Sequence, residues 1–321
     1  MSEASPIEVR AASAAAEPVG HLRRAWDSDL AYSFRHSPAA IVSAIVALVC
    51  VLSACFAPWI APHNPFDLAS LDLMASDQPP VFLSGGTWGY PLGTDNQARD
   101  VLSAILYGAR ISILVGVTAI VFALFVGILV GLVSGYLGGW VDAALMRLAD
   151  VQLTFPAILI ALLIDGIIET ALPRSIADAV QIYVLIFAIG IARWPQFART
   201  VRGSTLVERG RDYVLAAQVI GLSTPRIMVT HVLPNVVGPV LVLATLNLGL
   251  AILDEATLSF LGVGLPPTQP SLGTLIRVGN DYILSGEWWV VIFPGAALVL
   301  MVLSVNLLGD WLRDALNPRL R

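Results

Sequence analysis

"LAAQVIGLSTPRIMVTHVLPN" occupies Leu215–Asn235 and decides how the rest of the chain is read. Together with the preceding residues, "RDYVLAAQVI" has helical spacing, with Tyr213, Ala216, Ala217 and Ile220 along one side. Small Ala216 and Ala217 permit close approach by another surface. Gly221 follows where a helix C-terminus needs a left-handed residue, which costs glycine least. Thr224 suits an N-cap and Pro225 the first helical position. Ile227, Met228 and His231 carry a second helix to an end near Pro234. The segment reads as helix–turn–helix, too polar to span a bilayer. From its residues alone it is either an ordinary interfacial loop or an ordered functional element.

The surroundings are apolar. Of 321 residues, 57% are hydrophobic and 13% charged, with a mean hydropathy of +0.79. Soluble domains average about 25% charged residues, so the main solvent of this chain is lipid. The net charge of −5 offers no nucleic-acid surface. Lysine is absent and all eighteen cations are arginine. Cys50 and Cys55 share one apolar run and point to different helix faces, as inert thiols do.

A spanning helix needs about 20 apolar residues. Ala39–Pro62, Ile111–Val141 and Trp288–Gly309 are uncharged. Ala143–Ile164 carries Arg147 and Asp150, spaced to pair at i,i+3. Ser175–Trp194 carries Asp178 and Arg193, and Val236–Leu261 carries Asp254 and Glu255. The expectation is an all-α membrane protein with six transmembrane helices. The first run is too long for a signal peptide's apolar core and reads as a retained anchor. Three regions follow: a tail over 1–37; the first helix, external loop and interfacial helix over 38–110; and a core over 111–321 with a cytoplasmic loop at about 205–235. With the N-terminus inside, fourteen arginines fall on the cytoplasmic side, Arg147 and Arg193 among them. Only Arg99, Arg110, Arg174 and Arg277 fall outside. The positive-inside rule therefore puts both termini in the cytoplasm.

The loop His63–Gln97 is rich in Pro, Asp and Gly and reads as external. It leads into "ARDVLSAILYGAR" (98–110), where Val101, Leu102, Ile105 and Leu106 form one apolar face. That is either a short helix lying at the interface or a simple extension of the second span. Asp95, Arg99 and Asp100 before it would either cap the helix and pair locally or meet an external partner. Pro266, Pro267 and Pro270 mark a stiff loop, or a re-entrant gate, before the last span.

Several stretches carry a family resemblance. Leu215-Ala216-Ala217, Gly221 and His231-Val232-Leu233-Pro234 match the spacing of the EAA loop of bacterial ABC-importer membrane subunits. Leu215 stands where that pattern has Glu, and His231 where it has Ile. "PLGTDNQARD" (91–100) resembles the Pro-Leu-Gly-Thr-Asp-x-x-Gly-Arg-Asp signature of the C-type subunit of dipeptide/oligopeptide permeases, with Ala98 for its Gly. "GYLGGWVDAALMRLADVQLTFP" (135–156), "DEATLSFLGVGLPPTQPSLGTLI" (254–276) and "NLLGDWLRDALNPRL" (306–320) also resemble it, so the likeness covers about 36–321.

The resemblance implies a type I ABC importer permease fold in a bacterial inner membrane. It implies a heterodimer with a sister permease, two cytoplasmic ABC ATPases and an extracytoplasmic solute-binding protein. Ala216, Ala217, Gly221, Pro225, Arg226, His231 and Pro234 would form the ATPase-coupling surface. Asp254 and Glu255, charges that are costly in lipid, would face the solute path or the outer gate, Glu255 being the one at a family position. Their plainer alternative is a polar helix end or a pairing with the sister subunit. Asp142, Arg147 and Asp150 would form a structural charge cluster at the cytoplasmic boundary. The chain has no G-x-x-x-x-G-K-[ST] loop and no metal-ligand spacing, so no catalytic residue, metal or cofactor is expected in it; ATP and Mg would sit on the partner ATPases. The solute would be a di- or oligopeptide, or else a nickel chelate, glutathione or another peptide-like compound. A secondary transporter would show internal repeats, and none is visible.

Overall fold

A computed structural model describes residues 29–67, 71–171, 173–264 and 269–316. Most of the 1–37 tail and the Pro266–Pro267 loop lie outside the described residues, as do Arg319 and Arg321. Among the described residues every regular element is a helix, apart from one isolated bridge between Thr94 and Asp100.

In chain order the helices are α1 (Asp29–Arg35), α2 (Pro38–Cys55), α3 (Ala57–Ile60), α4 (Val101–Leu137), α5 (Gly139–Leu153) and α6 (Ala157–Ala171). Then come α7 (Arg174–Glu208), α8 (Asp212–Val219), α9 (Thr224–Phe260), α10 (Leu272–Tyr282) and α11 (Trp289–Ala315). Five of them, α2, α4, α7, α9 and α11, are long and apolar enough to cross a membrane. Cys50 and Cys55 are free thiols on α2.

Ala143–Ile164 is not one straight span. Its two halves, α5 and α6, meet at 88° around Thr154–Pro156, so this stretch is a bent pair, either a broken span or a re-entrant loop. Pro156 explains the break, because it removes an N–H and disfavours helical backbone in the residue before it.

The 98–110 stretch is the extension, not a separate interfacial helix. α4 starts at Val101 and runs 37 residues without a break. The Asp100 carboxylate caps it, accepting from Ser103 N at 2.9 Å. Val101, Ala104 and Ile105 are buried against protein. Gly108 on the same face lies against the Ser271–Leu272 backbone at the start of α10.

Glycine spacing organises the centre. A Cβ on Gly127 would stand 2.4 Å from the Phe197 Cβ, on Gly131 2.4 Å from the Ala198 carbonyl oxygen, and on Gly135 2.7 Å from the Thr205 Cβ. This small-xxx-small-xxx-small stripe lets the α4 and α7 backbones nearly touch, the main route to helix association in lipid. The matching order of contacts shows that α4 and α7 run parallel. α9 runs antiparallel to α4, with Gly116 against Ile252 and Ser112 against Glu255.

The second loop helix does not end at Pro234. It continues through α9 to Phe260. Pro234 has no N–H, and its ring would clash with the Thr230 carbonyl in a regular helix. The chain widens instead into a π turn over Met228–Val232, where Leu233 N–H reaches the Met228 carbonyl. The Asn235 side chain donates to the His231 carbonyl at 2.7 Å.

Candidate functional site

Chemistry gathers at three levels: the end carrying the 209–235 loop, the end carrying the 61–100 cap, and a buried polar layer between.

At the loop end, α8 closes with the full set of Schellman hydrogen bonds. Gly221 N–H donates to the Gln218 carbonyl at 2.9 Å and Leu222 N–H to the Ala217 carbonyl at 3.1 Å. Gly221 has φ +84°, and a Cβ there would meet nothing within 4 Å. The next helix begins one residue earlier than Thr224 suggests: Ser223 holds the N-cap position, without a side-chain capping bond, and Pro225 is the second helical residue. Ala216 and Ala217 part company. Ala217 and Val214 pack inward, whereas Ala216, Leu215, Val219 (88% exposed) and Ile220 (78% exposed) project outward. Pro225, Arg226 and Pro234 are exposed as well. His231 is half-buried and bonded to the Thr230 hydroxyl at 2.7 Å. None of the described His, Cys, Asp or Glu residues form a metal-binding group.

Three hydrogen bonds brace this loop against the helix ends. Tyr213 OH donates to Glu208 at the end of α7 and accepts from Asn235 Nδ2 at 3.1 Å. Gln218 Nε2 reaches Tyr136 OH of α4 at 3.1 Å. Burial and the Glu208 carboxylate push the Tyr213 phenol above its usual range.

The charge cluster on α5 is satisfied differently from the i,i+3 pairing expected of Arg147 and Asp150. Asp142 takes a bidentate contact from Arg202 of α7, with its longer bond at 2.6 Å, and a bond from Ser134. Asp150 pairs with Arg199 at 3.9 Å. Arg147 is exposed, with no ion pair among the described residues.

The polar layer was only half visible in sequence. Arg193, assigned above to the cytoplasmic side, is 7% exposed inside α7. Its guanidinium donates to Asp254 at 2.9 and 2.5 Å and to Asn247 at 3.0 Å. An intramembrane cation thus meets two partners on α9. Glu255, 0% exposed, accepts from Ser112 at 2.6 Å and Ser259 at 2.7 Å. Ser112 in turn accepts from Leu272 N at 3.3 Å, so this carboxyl ties α4, α9 and α10 together. In this conformation Glu255 is enclosed and only Asp254 keeps some exposed surface.

At the cap end, Arg99 Nε donates to Asp95 at 2.7 Å with both side chains buried. With Asp100 capping α4, these three residues form the local pairing and capping described as one of their two readings. Trp289 Nε1 donates to the Thr94 carbonyl at 3.0 Å and Asn96 Nδ2 to Tyr282 OH at 2.7 Å, fixing the cap to α10 and α11. Glu287 lies beneath it, its carboxyl raised above the usual range by burial and by the nearby Asp77 charge. Sequence reading missed α10 itself. Its face Leu272, Leu275 and Gly279 is buried at helical spacing, but the flanking prolines disguised it.

Five long apolar helices, a bent apolar pair and an ordered polar loop between two of the helices have the make-up of a multi-spanning membrane protein. Residues 127–321 match the family of binding-protein-dependent transport system inner membrane components. Residues 22–80 match the N-terminal TM domain of oligopeptide transport permease C. The chain belongs to the binding-protein-dependent transport system inner membrane component family. It is 40% identical to a di/tripeptide transport system permease protein of Pseudomonas aeruginosa, over 90% of this chain and 91% of that one. It is 39% identical to a dipeptide transport system permease protein of Escherichia coli over 95% of each. The corresponding protein of Haemophilus influenzae is 36% identical over 90% of this chain and 94% of its own. The chain is therefore a membrane permease, a transport subunit of the inner membrane.

Proposed function

We propose that this permease is one half of the translocation path of an ATP-driven importer for di- or oligopeptides. It pairs with a related sister permease, receives solute from an extracytoplasmic binding protein and is driven by two cytoplasmic ATPases that hold the ATP and Mg. Both termini and the 209–235 loop then face the cytoplasm, six crossings are made with α5–α6 counted as one, and the cap is external. The peptide assignment comes from the names of the relatives.

The observation that supports the coupling role is the state of α8. Its apolar end, Leu215, Val219 and Ile220, stands in the open on a helix whose base is braced to α4 and α7. An exposed apolar helix end beside a rigid brace suits force transmission to a docked partner. Ala216, Gly221, Pro225 and Arg226 lie on that exposed surface, Pro234, also exposed, shapes the π turn, and Ala217 and the half-buried His231 pack beneath. Asp95, Arg99 and Asp100 provide the rigid base of the external cap on which the binding protein docks. Asp254, through its pairing with Arg193, is the charged group on the solute path, and Glu255 holds the surrounding helices.

Reconstitution tests this. The full complex in proteoliposomes should hydrolyse ATP faster with loaded binding protein and accumulate radiolabelled dipeptide only when ATP is inside. Accumulation by this chain alone, driven by an ion gradient, would refute the proposal.

A further inference from the structure

A cleft of about 490 Å³ opens at the cap end between α4 and α7. Its floor is apolar, made by Ile111, Leu114 and Ile182. Its rim carries Arg110, Tyr107 and Gln269. Phe66 of the cap packs edge-on against the Tyr107 ring at 5.2 Å, which fixes that ring at the rim.

Arg110, like Arg147, is not among the cations of the helical body that a protein acceptor holds. Arg99, Arg193, Arg202 and Arg209 each direct the guanidinium to a carboxylate or a backbone carbonyl. Arg110 is exposed and has no ion pair or side-chain hydrogen bond among the described residues. It stands where α4 becomes uncharged, since no Asp, Glu, Arg or His follows it before Asp142. Its head is therefore at the edge of the apolar belt, above an apolar floor. A guanidinium recognises a planar oxyanion through paired N–H donors. The volume lies within the roughly 300–1,000 Å³ of small-molecule pockets. The polar layer lies at a similar depth, although none of its residues lines the cleft. Glu255 sits beside Ser112, between Arg110 and Leu114 along α4, so neighbouring Asp254 stands at the depth of the cleft floor.

We propose that the Arg110 cleft is a docking site for the carboxylate of a small solute, with Arg110 as the anion-binding group and Gln269 and Tyr107 as polar company at the rim. A peptide C-terminus is the carboxylate expected if the peptide-import reading holds; the anion site itself does not depend on it. A lipid phosphate would occupy only the rim and leave the apolar floor unused, which favours a solute with an apolar body.

The test uses the assembled complex with photoreactive benzoylphenylalanine in place of Tyr107, illuminated with radiolabelled dialanine or its C-terminal amide. Capture of dialanine several-fold above the amide is expected. Arg110→Gln should abolish the difference and Arg110→Lys should restore part of it. Co-purification of the partner subunits serves as the folding control for each variant. Equal capture of acid and amide, capture of neither, or crosslinks only to lipid or to the sister permease would overturn the site. This photocapture needs no transport. Preferential capture without dipeptide uptake by the complex would leave the site standing and sink the peptide reading, and uptake without preferential capture would do the reverse.

Discussion

Gly221 illustrates what one residue can be asked to do. Its φ of +84° suits glycine, yet the space around it is open. An added side chain therefore meets only backbone strain of about 1 kcal/mol, plus whatever its chemistry does to a docked surface. Gly221→Asn, which tolerates left-handed backbone, should transport nearly as wild type. Gly221→Asp should reach the membrane at normal level but lose ATPase docking and most transport, because its charge must be desolvated on contact. Ser223→Ala should change little, since Ser223 makes no capping bond. Uptake and co-purification of the ATPases measure all three, and a fully active Gly221→Asp complex would remove the loop from the coupling role. Ser112 offers a second case. Ser112→Ala strips one donor from Glu255 and the acceptor of Leu272 N–H, both buried. Leaving such groups unpaired costs about 1–3 kcal/mol each, so the complex should melt lower in a thermal denaturation assay. An unchanged midpoint would mean that Glu255 is not a structural node.

For whole elements, the glycine stripe on α4 makes the sharpest prediction. Gly131→Val puts atoms where the Ala198 carbonyl already sits, 2.4 Å from the new Cβ, and backbone cannot swing aside. Overpacking of this kind costs about 1–3 kcal/mol or more, so membrane level and pairing with the sister permease should fall. Gly203→Ala on α7 faces open space and removes a helix-weakening glycine worth roughly 1 kcal/mol; it should be neutral or stabilising in the same blot. Elements also show where sequence legibility ends. Apolar runs located five helices because lipid demands unbroken hydrophobicity, and Gly221 was legible because a C-cap is a local event. The bend between α5 and α6 was not resolved, since hydropathy ignores direction and Pro156 sits at the break without altering the average. Arg193 was misplaced because its partner Asp254 lies 61 residues away, and pairing across that distance leaves no periodic trace. Pro234, read as a stop, became the cause of a π turn.

For the molecule as a whole, two ends with different chemistry can be interrogated separately. In the proposed orientation, membrane-impermeant thiol reagents added outside should label a cysteine at Asp72 but not one at Ser223; the opposite pattern would invert the topology. The external cap should also respond to pH. Folding raises the Glu287 carboxyl, first through burial and then through Asp77. A carboxyl raised on folding stabilises the cap fully below its unfolded value, about 4.3. That contribution is lost as pH rises through the higher folded value. Hydrogen exchange across 71–100 should therefore be slower at mildly acidic pH than at neutrality after correction for intrinsic rates, and Glu287→Gln should flatten the difference.

α9 joins these ends in one piece, from Thr224 in the loop to Glu255 in the polar layer. It is in effect a lever arm. At about 1.5 Å per residue, the thirty steps from Thr224 to Asp254 span roughly 45 Å, so a rocking of about 5° at the short end sweeps the far end through roughly 4 Å. That sweep exceeds the 2.6 Å separation of Ser112 and Glu255. On the coupling proposed above, such a stroke either carries α4 along with α9 or parts Ser112 from Glu255, so this buried contact sets which helices travel together when the loop is pushed.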